Sequence, residues 1–285
     1  MIELRNVTKR YGEKRAVDDV SFSVANGESI ALWGTNGAGK TTLLRCLLGA
    51  TSYEGDILID GISSKKNGKA ARSRIGYVPQ VMPTFDMSVG EMIRLVARLR
   101  GADVKTGLAC LDRLNLGGTL TQSMGSLSGG MKQKVALSLA LLGDASILLL
   151  DEPTANLDAK SQADLIDMLD ELKREGRTIL FTSHRWSEVR ALADRAVTLE
   201  QGKAVSIGTV ADAARIADNI RVRVDLSQDT IEPAVTLLRA HGYTTARHGS
   251  SAVVTVDSRK KAEPLVLLTQ SSYAVTDFEL EEAGA

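Results

Sequence analysis

Apolar residues divide the chain into strand-like and helix-like stretches that alternate along most of its length. Ile2-Glu3-Leu4-Arg5-Asn6-Val7 and Val20-Ser21-Phe22-Ser23-Val24 alternate at period two, the pattern of strands with one buried face. Asn26-Gly27 carries a hairpin signal. Ser29-Ile30-Ala31-Leu32-Trp33 is a continuous apolar run that reads as a buried strand, and residues 42–48 read as a helix stopping near Gly49. Residues 55–61 form a short strand. Residues 74–78 form another, stopped by Pro79, which leaves Gln80 at a strand end. From Ser88 the period becomes helical, with Val89, Met92, Ile93, Val96 and Leu99 on one face and a capping box between Ser88 and Glu91. Residues 104–114 and 131–142 read as further helices, so 82–142 is an all-helical insert.

The core resumes with Ile147-Leu148-Leu149-Leu150, which has the continuous apolar character of a central parallel strand covered on both faces. An amphipathic helix at 160–174 and a strand at 177–183 follow, and His184 stands at the strand's end. Such alternation argues an α/β fold with a parallel sheet and ligands at its strand ends, beside an antiparallel β subdomain near the start. The pattern changes after Gly202. An Ala-rich helix at 210–218 closes a first domain of residues 1–218. Residues 219–285 then read as strand 220–226, helix 231–240, a hairpin at 244–256 around Gly249-Ser250, helix 260–270 and strand 273–280. That β-α-β-β-α-β order is the ferredoxin-like arrangement and predicts a small separate domain.

Composition narrows the classes. Lys plus Arg and Asp plus Glu are equal at 35 each, so no global basic field points to nucleic acid. Cys46 and Cys110 lie far apart without a CxxC neighbour, which argues against a disulfide framework or zinc site and fits a reducing compartment. The opening residues lack a signal-peptide apolar core. The most apolar stretch, 135–150, is broken by Gly143-Asp144 and is too short to span a bilayer. The expectation is a cytoplasmic chain with no membrane segment of its own.

The chemistry centres on Gly34-Thr35-Asn36-Gly37-Ala38-Gly39-Lys40-Thr41, of the form G-x-x-x-x-G-K-[ST], set between a buried strand and a helix. That context is the one a P-loop needs: glycines let backbone N–H groups wrap a polyphosphate, and the helix N-terminus faces the same anion. Lys40 would reach the β- and γ-phosphates and Thr41 would ligate Mg²⁺. Leu127-Ser128-Gly129-Gly130-Met131 is a second glycine-containing anion nest at a helix start, so a nucleotide is expected to be held from both sides. Asp151 and Glu152 are adjacent carboxylates whose side chains cannot share a role. Asp151 is expected at the Mg²⁺ shell and Glu152 at the attacking water, with His184 near the γ-phosphate.

Together these residues resemble the ATP-binding cassette (ABC) ATPase family over residues 1 to about 215. Gly34 to Thr41 is similar to its Walker A, Gln80 to its Q-loop, Leu127-Ser128-Gly129-Gly130 to its signature, and Ile147 to Asp151 with Glu152 to its Walker B and catalytic carboxylate. Ala155-Asn156-Leu157-Asp158 is similar to its D-loop, His184 to its switch histidine, and Tyr11 to its adenine-stacking aromatic. The resemblance implies a P-loop NTPase fold and ATP hydrolysis, with Lys40, Glu152 and His184 catalytic and Glu152 the general base. It implies nucleotide contacts from Tyr11, residues 34–42 (through Thr42), Gln80, Ser128, Gly129, Gly130 and Asp158. It implies Mg²⁺ held by Thr41, Gln80 and Asp151. It further implies a homodimer closing head-to-tail on ATP, and a separate transmembrane permease that holds the chain on the inner face of the membrane.

Three positions depart from the family pattern. Met131 replaces the usual Gln, which affects a contact from that side chain but not those of Ser128 and Gly130. Trp33 before the loop is expected to pack. Arg185 replaces the acidic residue common after the histidine, so contacts across the dimer there are expected to differ. Five of the seven methionines (Met82, Met87, Met92, Met124, Met131) fall between 82 and 131. They read as a surface for a partner helix or as core filling, with core filling preferred for Met92. His241 and His248 read as isolated surface histidines. The tail's order resembles domains appended to exporter-type (ABC-2-like) ATPases, including those of copper-processing and nitrous-oxide-reductase maturation systems. A soluble non-transport ABC ATPase and a regulatory cassette are the competing readings. The first is disfavoured by the single cassette and neutral charge, the second by the presence of Lys40, Asp151, Glu152 and His184.

Overall fold

The computed structural model describes the chain except Thr84, Asp144, Asn156, Asp218, Ser258, Arg259 and residues 283–285, and leaves aside the side chains of 215–220 and 281–282. Asn156 of the expected D-loop and Asp218 at the expected helix end thus lie outside the described residues. Internal contacts divide the chain into two units, Met1–Val210 and Ala211–Ala285. This division and the expected boundary at 218/219 bracket one helix, Val210–Ala217.

In chain order the first unit contains β1 (Ile2–Tyr11), β2 (Lys14–Val24), β3 (Ser29–Trp33), α1 (Lys40–Leu47), β4 (Glu54–Ile59), β5 (Ile62–Ser63), α2 (Gly68–Ser73) and β6 (Ile75–Val78). The insert follows with α3 (Val89–Arg100), α4 (Val104–Arg113) and α5 (Gly129–Ala140). The core then resumes with β7 (Ile147–Asp151), α6 (Ala159–Arg174), β8 (Thr178–Ser183), α7 (Trp186–Leu192), β9 (Arg195–Glu200) and β10 (Lys203–Thr209). β2-β1-β4-β5 form an antiparallel sheet. β10-β9-β3-β8-β7-β6 form the central sheet, parallel except for the β9–β10 hairpin. The two sheets share a core around α1 that includes Ile2, Leu4, Ile30, Leu32, Leu43 and Leu47.

The hairpin expected at Asn26-Gly27 is not formed. Gly27 does turn the chain with φ 75°, but β2 stays in the first sheet and β3 enters the second, between β8 and β9. Turn chemistry signals only a reversal. The buried character of all five β3 residues decides its partners, because such a strand needs cover on both faces. The tight hairpin instead joins β1 to β2, where Tyr11 pairs with Lys14 around Gly12. The helical insert packs on its own core, including Val89, Ile93, Leu111, Leu139 and Leu142. Met92 and Met124 are buried in it, and Met82, Met87 and Met131 pack against it, so the methionine cluster is predominantly core filling. Trp33 packs edge-on against Trp186, with ring centroids 5.3 Å apart. Both cysteines are buried and free, and burial pushes the Cys46 thiol up to about 11.

The second unit begins within α8 (Val210–Ala217) and continues with β11 (Asn219–Leu226), α9 (Ile231–Ala240), β12 (Thr244–His248), β13 (Ser251–Asp257), α10 (Glu263–Gln270) and β14 (Val275–Glu282). Its sheet runs β12-β13-β11-β14, antiparallel throughout. Val222, Val224 and Leu226 pack with Ile231, Val235 and Leu238 of α9. His241 sits at the end of α9 with Nδ1 3.0 Å from Leu237 O, and His248 is exposed on β12.

Gly76 of β6 lets α5 approach the central sheet, since a Cβ there would stand 2.3 Å from Ala140 O and 2.9 Å from Leu148 Cδ2. Gly76→Ala is expected to destabilise the first unit by about 1–3 kcal/mol through overpacking. A lowered urea midpoint would show it, and an unchanged midpoint would contradict the packing.

Candidate functional site

The site forms where β3, β7 and β8 end side by side. The registers that pair Trp33 with Ser183 and Asp151 with Thr182 carry three distant stretches to one edge of the sheet. After Trp33 the chain loops through Gly34 (φ 152°) and Gly39 (φ 106°). A Cβ at Gly34 would fall 2.2 Å from Leu199 O, and one at Gly39 2.3 Å from Ala16 O. Only glycine allows this close backbone packing. Ala38 is buried beneath the loop. Helix α1 starts at Lys40 with no side-chain cap and no acidic residue in its first turn. Its first N–H groups are therefore left to an anion.

Lys40 is 5% exposed. Its ammonium donates to Gly34 O at 2.6 Å and Thr35 O at 2.9 Å, and lies 3.7 Å from Glu152 Oε1. Desolvation lowers its pKa, while the carboxylates of Glu152 and Asp151 act to raise it. Asp151, also buried, accepts through Oδ1 from Thr41 Oγ1 at 3.0 Å and Thr182 Oγ1 at 2.8 Å. Glu152 leaves the strand in the left-handed region at φ 44°, a strain that local structure must hold in place. Its N–H donates to Thr182 Oγ1 at 2.8 Å. Its Oε2 accepts from Gln80 Nε2 at 3.0 Å and lies 3.4 Å from His184 Nδ1.

A cavity of about 350 Å³ opens over these groups, lined by Thr35, Asn36, Gly37, Gly39, Lys40, Thr41, Thr42, Gln80 and Glu152, with Tyr11 and Lys14 also at its wall. Tyr11 is 48% exposed, with Lys9 Nζ 4.8 Å from the centre of its ring. Ser128, Gly129, Gly130 and Asp158 do not line this cavity. They cluster elsewhere: Ser128 caps α5 by accepting from Met131 N at 3.3 Å, and a Cβ on Gly130 would fall 2.8 Å from Ser161 Oγ. Asp158 caps α6, its carboxylate accepting from Ser161 N at 2.9 Å and Ser161 Oγ at 2.8 Å, which lowers its pKa. One chain thus brings together the loop, Lys40, Thr41, Gln80, Asp151, Glu152 and His184, and sets the signature-like segment apart.

Sequence reasoning missed Lys14 and Thr182. A hydroxyl at the carboxyl end of an otherwise apolar strand was the available signal for Thr182. Lys14 offered none, because it reaches the cavity only through the β1–β2 hairpin.

Residues 17–155 match a family model described as ABC transporter. The chain is 38% identical over 213 residues to the Nod factor export ATP-binding protein I of Burkholderia orbicola (strain AU 1054), spanning 73% of this chain and 70% of that protein. The chain belongs to the ABC transporter ATP-binding family. It is also 31% identical over 234 residues to the linearmycin resistance ATP-binding protein LnrL of Bacillus subtilis (strain 168), covering 80% of this chain and 75% of that one. Its fold is similar to a dimeric structure of a post-hydrolysis state of the ATP-binding cassette MJ0796 bound to ADP and Pi, with TM-score 0.67, 28% identity, and coverage of 74% of this chain and 99% of that one. The chain is an ABC transporter ATP-binding subunit and an ATPase. Among the described residues, no helix is long and apolar enough to cross a membrane.

The Lys40 ammonium, held by backbone carbonyls at the cavity wall, is the charge that a triphosphate would recruit. Lys40→Ala is expected to weaken binding of a fluorescent ATP analogue by roughly 10- to 100-fold, as loss of a charge-assisted hydrogen bond implies. A titration with parent affinity would remove Lys40 from the binding site.

Proposed function

We propose that this ABC ATPase binds Mg-ATP in the 350 Å³ cavity and closes head-to-tail on a second copy of itself. The observation that carries this reading is the division of the site. Lys40, Thr41, Asp151 and Glu152 converge on one cavity, whereas the second anion nest at Ser128–Gly130 lies away from it. A nest that cannot serve its own chain's cavity is free to serve a partner's, and the similar cassette MJ0796 is dimeric. In this reading Tyr11, exposed at the cavity wall, stacks on the base, and Asp158, which caps α6, contacts the nucleotide from the side of the nest.

The donors also fit Mg²⁺. Thr41 Oγ1 and Asp151 Oδ1 lie 3.0 Å apart, both are oxygen ligands, and Gln80 adds a side-chain amide at the cavity wall. Few protein ligands plus substrate phosphate is the usual provision for this hard ion. When bound, Mg²⁺ would neutralise charge on the β- and γ-phosphates. The remaining work falls to the chain. Lys40 orients the terminal phosphates, Glu152 accepts the proton of the attacking water as general base, and His184 steadies the Glu152 carboxylate and the γ-phosphate. Binding energy closes the dimer and loss of the γ-phosphate releases it, a ligand acting through differential affinity for two states.

The work is delivered to a separate permease, which holds the chain peripherally at the inner face of the cell membrane. A second cavity, lined by Lys69, Arg72, Ser73, Leu99, Arg100 and Gly143, supports a docking face for that partner. Leu99 is 76% exposed, with Leu95, Val81 and Phe85 also exposed nearby in sequence. Arg100 is occupied with Leu142 O and Ile75 O, whereas Lys69 and Arg72 form no ion pair among the described residues. Cations beside apolar side chains suit an acidic amphipathic helix. The second unit, with antiparallel order β12-β13-β11-β14 and a helix after its first and third strands, is read as a ferredoxin-like accessory domain. Export is the direction suggested by the names of the relatives. The likeness to copper-processing exporters rests on strand order alone.

Glu152→Gln is expected to retain ATP binding, lose about 100-fold or more in turnover, and accumulate as a dimer in Mg-ATP by light scattering. Turnover at the parent rate, or a monomer at saturating nucleotide, would overturn the reading. Lys69→Glu with Arg72→Glu is expected to move the chain from membrane pellet to supernatant in native cells while leaving ATPase activity of the purified chain unchanged. Unaltered pelleting would remove this face as the dock.

A further inference from the structure

A buried polar network behind the cavity ties the two loops that carry Glu152 and His184. Glu188, on the first turn of α7, is 6% exposed. Its Oε2 accepts from Ser183 Oγ at 2.7 Å, and its Oε1 accepts from Thr154 Oγ1. Ser183 immediately precedes His184, and Thr154 lies two residues after Glu152, so one carboxylate spans both loops. Ser183 and Thr154 are themselves 1% and 2% exposed.

Arg185 extends the network from the other side. Its Nη1 lies 3.3 Å from Glu188 Oε1, and its Nη2 donates to Gln162 Oε1 at 3.1 Å. Gln162 Nε2 in turn donates to Leu157 O at 2.9 Å and to Thr154 O at 3.4 Å. The backbone N–H of Arg185 donates to Ser183 Oγ at 2.9 Å. The guanidinium fork therefore holds α6 and the turn after Glu152 against the loop of His184. An acidic side chain at 185, the type common in the family pattern, would set like charge beside Glu188. The cation at 185 instead pairs with it.

We propose that Arg185 and Glu188 are positioning residues for hydrolysis, locking the turn after Glu152 to the strand end that bears His184. The proposal rests on the reading of Glu152 and His184 as the reacting pair. Their contact is 3.4 Å between Nδ1 and Oε2; His184 is 42% exposed, so little packing fixes it, and Glu152, though buried, leaves its strand in strained backbone. Neither Arg185 nor Glu188 lines the nucleotide cavity, so removing them should leave ATP binding alone. A displacement of reacting groups on the scale of an ångström is enough to cost one or two orders of magnitude in rate.

The test measures kcat and KM for ATP, analogue affinity and thermal melting in the full chain for Arg185→Met, Arg185→Lys, Glu188→Gln and Glu152→Gln. Arg185→Met and Glu188→Gln are expected to lower kcat about tenfold or more while KM and analogue affinity stay within about twofold. Arg185→Lys, which keeps the charge but not the fork, is expected to recover part of the loss. A fifth variant, combining Arg185→Met with Glu188→Gln, is expected to be no worse than the poorer of those two singles, as members of one unit behave. Parent kcat in Arg185→Met and Glu188→Gln, with Glu152→Gln inactive, would overturn the lock and spare the catalytic reading. So would a fall in kcat matched by lost affinity and a lowered melting point, the mark of general structural damage. Parent turnover in Glu152→Gln would instead sink the catalytic reading itself.

Discussion

The structure depends on keeping a lysine charge inside the protein, beside the carboxylate of Glu152. Lys40 is almost wholly removed from water, and desolvation works against its protonated form. The loop answers by turning two peptide carbonyls, Gly34 O and Thr35 O, onto the ammonium. Those carbonyls can point inward only because Gly34 and Gly39 adopt conformations in which a side chain would strike neighbouring backbone. Glycine placement, burial of the cation and affinity for a polyphosphate are therefore one constraint. An arriving triphosphate takes over a charge already desolvated, and little reorganisation remains to be done.

Sheet order supplies the rest. β3, β8 and β7 are neighbours, although long stretches of chain separate them in sequence, and their carboxyl ends deliver the loop, His184 and the carboxylate pair to one edge. Thr182 links them locally: its single hydroxyl donates to Asp151 and accepts from the backbone of Glu152. The two adjacent carboxylates are thereby sent to different partners. Asp151 continues the strand and meets Thr41, whereas Glu152 turns into strained backbone and faces Gln80, Lys40 and His184.

Much of this was legible in sequence for identifiable reasons. The loop, the Asp151-Glu152 pair and the helix starts at Ser88 and Ser128 depend on local chemistry, so spacing alone reveals them. The partner of β3 was not legible from its turn, because Asn26-Gly27 marks a reversal whatever sheet the chain enters next. Lys14 and Glu188 were hidden for a similar reason. Their neighbours come from a hairpin and from a helix following another strand, and long-range register has no local signature. The methionines show the limit of composition. Their concentration in the insert left a partner surface and core filling both open. Met92 on α3, Met131 on α5 and Met82, Met87 and Met124 in the connections all pack into or against the insert's core.

The same logic explains where the Ser128–Gly130 segment lies. Ser128 and the α6 cap at Asp158 meet through Gly130 and Ser161, where absence of a Cβ allows contact. α6 also carries Gln162, whose amide holds the turn after Glu152. A segment set apart from its own chain's cavity is thus connected through α6 to the carboxylate that faces it. For a dimer in which each nest covers the other's triphosphate, this connection would let closure on one nucleotide bear on the geometry around the next. Rigid packing carries such an effect better than flexible contact, because a well-packed junction shifts between discrete arrangements instead of deforming gradually.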